Sequence, residues 1–325
     1  MANKYTSIGG QALIEGIMMK SPEKTAIAVR TPDKSIDISY MNGKSIREKY
    51  KILALPIVRG VVGFVESMLQ GYKALSISAE KSGFAEEEAD TPKTEEQKKK
   101  DIQFLNIVMV SGAVLGVLLS LGLFMYLPRL CVSGIEWLIK EPINSTVLRS
   151  VIEQAIKMTI FVGYVMLVSL MKDIKRVYMY HGAEHKTIFC YEKGLELTVE
   201  NVRLQKRFHP RCGTSFMILM ILVSIVLSIV LQSTFKNIYD NALVWTLAKV
   251  LMVPLTCGIG FEVLKFCGRF DNIITRIISA PGMWLQRVTT KEPTDDMIEV
   301  AIAALKACEP EVPDVDRTGC CNDNI

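Results

Sequence analysis

Four long apolar runs, separated by polar stretches, set the pattern of this chain. Residues 104–127 carry no charge and are long enough to cross a hydrocarbon core of about 30 Å. Pro128 is expected to end that run. Residues 156–171 form a shorter run with Lys157 near its entry, where a lysine can snorkel. Residues 215–231 are dense in Ile, Leu, Val and Met, and residues 243–266 hold Lys249 inside and Glu262 near the end. These runs predict a mainly α polytopic membrane protein with about four transmembrane helices.

The segments around the runs predict smaller elements. Thr25–Arg30 and residues 35–40 both alternate apolar and polar positions, and Thr31-Pro32-Asp33-Lys34 between them is turn chemistry, so a β-hairpin is expected. Before it, residues 9–19 are an apolar stretch broken by glycines and by Glu15. Residues 52–78 turn to helical periodicity, with Arg59 and Glu66 on roughly one face. Pro56, Gly60, Gly63 and Gly71 argue against a simple span there and for an amphipathic or re-entrant helix. Residues 80–101 are Glu, Lys and Asp with almost no large apolar residue, which predicts a disordered linker. Near the C-terminus, residues 272–286 suit a helix lying in the membrane interface. Thr294 is expected to cap a helix over 295–307 that packs on the cytoplasmic domain, with partner binding as the other option.

The expected organisation is therefore an N-terminal membrane-associated region (1–79) and a charged linker (80–101), followed by two spans (102–171). A histidine-bearing cytoplasmic loop (172–214), two further spans (215–266) and a C-terminal region of interfacial and amphipathic helices with a polar tail (267–325) complete it.

Half the chain is hydrophobic and the net charge is only +4, so charge gives no argument for nucleic acid. Residues 1–20 have no continuous apolar core of a secretory signal. The eight cysteines lack the regular spacing of a disulfide framework and read as mostly reduced thiols. Lysine and arginine are dense in residues 172–214 and sparse in the loops on either side of that stretch in the span order. The expected location is the cell membrane, multi-pass, with both termini and the 172–214 segment cytoplasmic.

All three histidines fall in that segment. Residues 172–180 have helical composition, and a helix continuing at about 1.5 Å per residue sets His181 roughly 15 Å beyond the span. In His181-Gly182-Ala183-Glu184-His185 the two imidazoles stand at i and i+4 on one face, a spacing that lets both ligate one ion. The same letters spell the inverted-zincin motif, in which the glutamate is the general base. His209-Pro210-Arg211-Cys212-Gly213 then offers His209 or Cys212 as a third ligand. Zinc suits such mixed donors, with iron or manganese as alternatives. The plain alternatives are a solvated helix face for the histidine pair and a packed thiol for Cys212. Glu192, Glu196 and Glu200 look like ordinary surface charge. Glu262 either faces a polar cavity or pairs with Lys265 or Arg269.

The strings GGQALIEGIMM at 9–19, LPIVRG at 55–60, YHGAEHKT at 180–187, LTVENVR at 197–203, HPRCGTSF at 209–216 and APGMWLQRVTTKEPTDDMIEVAIAAL at 280–305 resemble the YqhQ family of bacterial multi-pass membrane proteins. The likeness covers nearly the whole chain except the acidic linker. It implies a predicted metal-dependent enzyme and names no reaction.

Three functional readings follow. The first is a membrane-embedded metal-dependent hydrolase: His181, His185 and His209 or Cys212 hold the ion, Glu184 is the base, and the substrate is a lipid or peptide presented at the membrane. The second is a scaffold, as a homo-oligomer or a subunit of a membrane complex, with a structural metal. The third, a transporter, has only Lys249 and Glu262 to suggest a polar path.

Overall fold

The computed structural model describes residues 6, 8–41, 46–83, 111–112, 114–209, 212–235, 241–269 and 272–309. Its N-terminal part is a four-stranded antiparallel meander, β1 (Gly9–Leu13), β2 (Gly16–Lys20), β3 (Thr25–Arg30) and β4 (Ile36–Met41), in that spatial order. The expected hairpin is β3–β4, paired from Thr25↔Met41 to Arg30↔Ile36. The stretch 9–19, for which the sequence suggests no strand, forms β1 and β2. β2 and β3 are buried along almost their whole length, and β2, Gly-Ile-Met-Met-Lys, lacks the alternation that betrays a half-buried strand. One face of the sheet (Ile17, Met19, Ala26, Ala28) packs with Tyr180, Met297, Ile298 and Leu305. The other (Leu13, Met18, Ile27, Val29) packs with Ala74. Each fully buried Leu, Ile or Met contributes roughly 1.5–3 kcal/mol relative to exposure.

A short helix α1 (Ile46–Lys49) and a 3-10 turn (Lys51–Ala54) lead into α2 (Val58–Lys81), a single helix of 24 residues. α2 buries Ala74 on the sheet and exposes Val65, Met68, Leu69 and Tyr72, a division that fits the amphipathic expectation. It also takes up Glu80 and Lys81, so the first residues assigned to the linker are helical; residues 84–101 of that linker lie outside the described residues. There follow α3 (Val114–Ile139), α4 (Thr146–Val168), α5 (Lys172–Glu192), α6 (Val199–Arg203), α7 (Gly213–Thr234), α8 (Ala242–Leu251), α9 (Val253–Arg269), α10 (Ile273–Thr289) and α11 (Asp295–Cys308).

Among the described residues, α3, α4 and α7 are long and apolar enough to cross a membrane, and the pair α8–α9, bent by 41°, is a fourth if it counts as one span. Pro128 does not end the first of these. A π-helical turn, Gly122–Tyr126, precedes it and the helix runs on to Ile139. Proline lacks an N–H and its ring presses on the carbonyl four residues back; the widened turn relieves both conflicts. The bend between α8 and α9 has the same kind of cause, since Pro254 stands in the first turn of α9.

The chain divides into two compact units, Met1–Glu87 with Met166–Leu219 and Gly258–Ile325, and Glu88–Val165 with Met220–Cys257. In the first, Arg59 forks onto Glu262, with Nε to Oε1 at 2.7 Å and Nη2 to Oε2 at 2.5 Å. Glu262 therefore has Arg59 as its principal partner instead of Lys265 or Arg269, and Glu66 is held by Arg47 at 3.3 Å and by the Ile46 amide at 2.7 Å. α11 lies in the core, against the sheet and α5. Thr294 holds its N-cap position without a side-chain capping bond, and Asp295 and Asp296 face the positive end of the helix. In the second unit the buried Glu153 meets the mostly buried Lys249 at 2.6 Å.

Candidate metal centre

The centre is built on α5. The helix enters the core through Tyr180, Ala183 and Ile188, which are buried against the sheet and α11. That packing fixes its rotation, and the neighbouring positions 181, 184 and 185 then share one face. Gly182 permits the segment after α10 to lie directly on the helix: a Cβ there would overlap the Lys291 carbonyl oxygen, and the Lys291 amide donates to the Tyr178 carbonyl at 2.8 Å.

Backbone carbonyls orient both imidazoles. His181 Nδ1 lies 2.9 Å from the Thr289 carbonyl oxygen and His185 Nδ1 lies 2.5 Å from that of Arg207. A carbonyl only accepts, so each Nδ1 carries the proton and each Nε2 is left with a lone pair. This is the tautomer that a metal-ligating histidine takes when its other nitrogen is anchored. The rings stand edge to face with centroids 4.4 Å apart. His181 Nε2 is 3.1 Å from Cys212 Sγ, and one ligand atom from each of His181, His185 and Cys212 lies within 4.8 Å of the other two. The donor set, its anchored tautomers and its burial all fit a divalent ion of the zinc type.

His209 lies on the far side of His185. Its ring centroid is 5.7 Å from that of His185 and 4.6 Å from Phe189, and its Nε2 is 3.6 Å from the Glu192 carboxylate. Its backbone is clamped by Gln286, whose Oε1 accepts from the His209 amide and whose Nε2 donates to the His209 carbonyl, both at 2.8 Å. Of the two third ligands that the sequence offers, Cys212 joins the histidine pair and His209 does not belong to the group.

Glu184 is buried beside the His181–His185–Cys212 group, and its Oε2 has no hydrogen-bond partner among the described residues. The Gly10 amide donates to its carboxylate. Burial pushes the Glu184 carboxyl up to about 8; the neighbouring His181 opposes this, Cys212 adds to it, and the Gly10 amide takes a little back. Burial likewise holds the His185 imidazole below its ordinary value, against the pull of Cys212 and the Arg207 carbonyl. For Cys212 burial acts upward, but His185 and the Thr214 hydroxyl and amide outweigh it and the thiol lies below its ordinary value. The downward shifts of the His185 imidazole and the Cys212 thiol are both in the direction that metal binding favours.

Thr289, Arg207, Gln286 and Gly10 are the members that sequence reasoning passes over. Two of them act through backbone carbonyls, which have no residue-type signature. Gln286 lies inside the string 280–305 and Gly10 inside 9–19, so the motif strings contain them without revealing what they do.

Helices able to cross a bilayer, together with a His–His–Cys group on a sheet-backed unit, define a membrane protein with a candidate metal centre. The chain belongs to the family described as "Protein of unknown function (DUF1385)", which it matches over residues 55–311. It is 34% identical over 296 residues to "Uncharacterized protein YqhQ" of Bacillus subtilis (strain 168), an alignment covering 90% of this chain and 89% of that one. The resemblance carried by the motif strings is thus borne out. No solved structure matches the chain.

Proposed function

We propose that this protein is a metal-dependent hydrolase of the cell membrane, working at the cytoplasmic face on a lipid or peptide presented there. His181, His185 and Cys212 would hold the ion, zinc by its donor set, with iron or manganese as alternatives. A bound divalent ion would supply Lewis-acid polarisation of a substrate oxygen. Glu184 takes a proton from the attacking water at Oε2 and returns it to the leaving group.

The observation that carries this reading is the buried Glu184 Oε2, unpartnered beside a three-ligand group. Three protein ligands with an adjacent proton carrier are the pattern of catalytic sites, whereas structural zinc sites close with four. The lysine and arginine asymmetry of the loops supports the cytoplasmic assignment. A structural metal in a scaffold is the second reading. It is favoured by the depth of the site: His185, Glu184 and Cys212 are all buried, and only His181 is partly open.

Glu184→Gln separates the two. It keeps size and hydrogen bonding and removes the basic oxygen, so the hydrolase reading expects full metal content with loss of rescue in a strain deleted for the gene. Full rescue with normal metal content would overturn it.

A further inference from the structure

The second unit contains a cavity of about 160 Å³ whose lining includes Lys157, Lys249, Ser224, Ser228 and Thr256. We propose that this cavity is a binding site for a phosphate-type oxyanion, set at the mid-depth of the membrane helices. It rests on residues that take no part in the metal centre.

Three observations carry it. The first is position. Lys157 stands near the middle of α4 and Ser224 near the middle of α7, while Lys249 and Thr256 flank the break between α8 and α9. Ionisable groups at that depth are costly in hydrocarbon, and they are kept where a partner, an aqueous cavity or a ligand meets them. Lys249 has its partner in Glu153. Lys157 makes no hydrogen bond or ion pair among the described residues.

The second observation is charge. The lining holds two lysines and no carboxylate, and with Glu153 counted behind Lys249 the site retains one positive charge.

The third is hydrogen-bonding sense. Ser224 Oγ donates to the Ile221 carbonyl at 2.8 Å and Thr256 Oγ1 to the Met252 carbonyl at 3.0 Å. Their protons are committed, and their lone pairs are left to accept. Lys157 can only donate, and the Ser228 hydroxyl can do so. A ligand that meets these donors carries negative oxygens, and a phosphate or a phosphomonoester offers several. At about 30 Å³ per water the space has room for several waters, enough to admit one tetrahedral oxyanion.

Inorganic phosphate and a lipid phosphomonoester share this chemistry, and the experiment has an arm for each. The full chain is reconstituted in phosphatidylcholine nanodiscs and titrated with radiolabelled inorganic phosphate. In parallel it is reconstituted with phosphatidic acid, and the retained lipid is counted by native mass spectrometry. The expected result is saturable binding in one arm, weakened about tenfold or more by Lys157→Met, with helical content and monodispersity unchanged. The arm that binds identifies the source. Binding by the wild type in neither arm overturns the proposal, as does wild-type affinity in Lys157→Met. If Lys157→Met does not stay monodisperse, Ser228→Ala decides: a loss of about fivefold supports the site, and unchanged binding overturns it.

Discussion

The Gly10 amide donates to the Glu184 carboxylate, and the two residues pack so closely that a Cβ on Gly10 would stand 2.9 Å from both Cδ and Oε1 of Glu184. A strand at one end of the chain thus sets the position of an acid on a helix far from it in sequence. Gly10→Ala is expected to displace Glu184, to lower stability by about 1–3 kcal/mol through overpacking, and to abolish rescue while the metal stays. Denaturant unfolding and elemental analysis of the purified variant check this; a variant that rescues fully would show that the position of Glu184 is unimportant.

The ligand set is tested by metal content. The wild type should hold about one divalent ion per chain at the His–His–Cys group, and His181→Ala, His185→Ala and Cys212→Ser should each lose it. His209→Ala should keep it, because that ring is turned to Phe189 and Glu192. Loss of metal from the His209 variant with retention in the Cys212 variant would reverse the choice of third ligand.

Orientation is open to direct labelling. Asn144 and Lys193 are both exposed positions, one after α3 and one at the end of α5. A cysteine placed at 144 should react with a membrane-impermeant maleimide on intact cells, and one placed at 193 should react only after permeabilisation. The opposite result would put the metal centre on the other face of the membrane.

Cys308 gives a prediction for alkaline pH. Burial, with Glu309 adding to it, pushes this thiol up to about 12 from an ordinary value near 9. The folded chain therefore holds a proton that the unfolded chain releases between those values. The contribution to stability is complete below about pH 9 and is lost as pH rises toward 12. In native protein at pH 8, Cys308 should resist maleimide and react only on unfolding, which mass spectrometry of the labelled peptides would read. Fast labelling of the native chain would contradict its burial.

What the sequence alone determined are the features that local periodicity encodes. Long apolar runs announce the spans because a bilayer imposes a length. Thr31-Pro32-Asp33-Lys34 announces a turn, and the i, i+4 spacing of His181 and His185 puts both on one helical face. Pro128 misleads because a π-turn, a local remedy without a sequence signature, absorbs it. β2 stays hidden because a strand buried on both faces shows no alternation, and β1, Gly-Gly-Gln-Ala-Leu, because its paired glycines carry no strand signal. Tertiary structure decided the rest. The choice of Cys212 over His209 depends on the Thr289 carbonyl turning His181 and on Gln286 gripping the His209 backbone across 77 positions. Arg59 finds Glu262 across 203 positions. These contacts are made by backbone groups and by residues remote in the chain, so they exist only once the sheet, α5 and α10 have packed together.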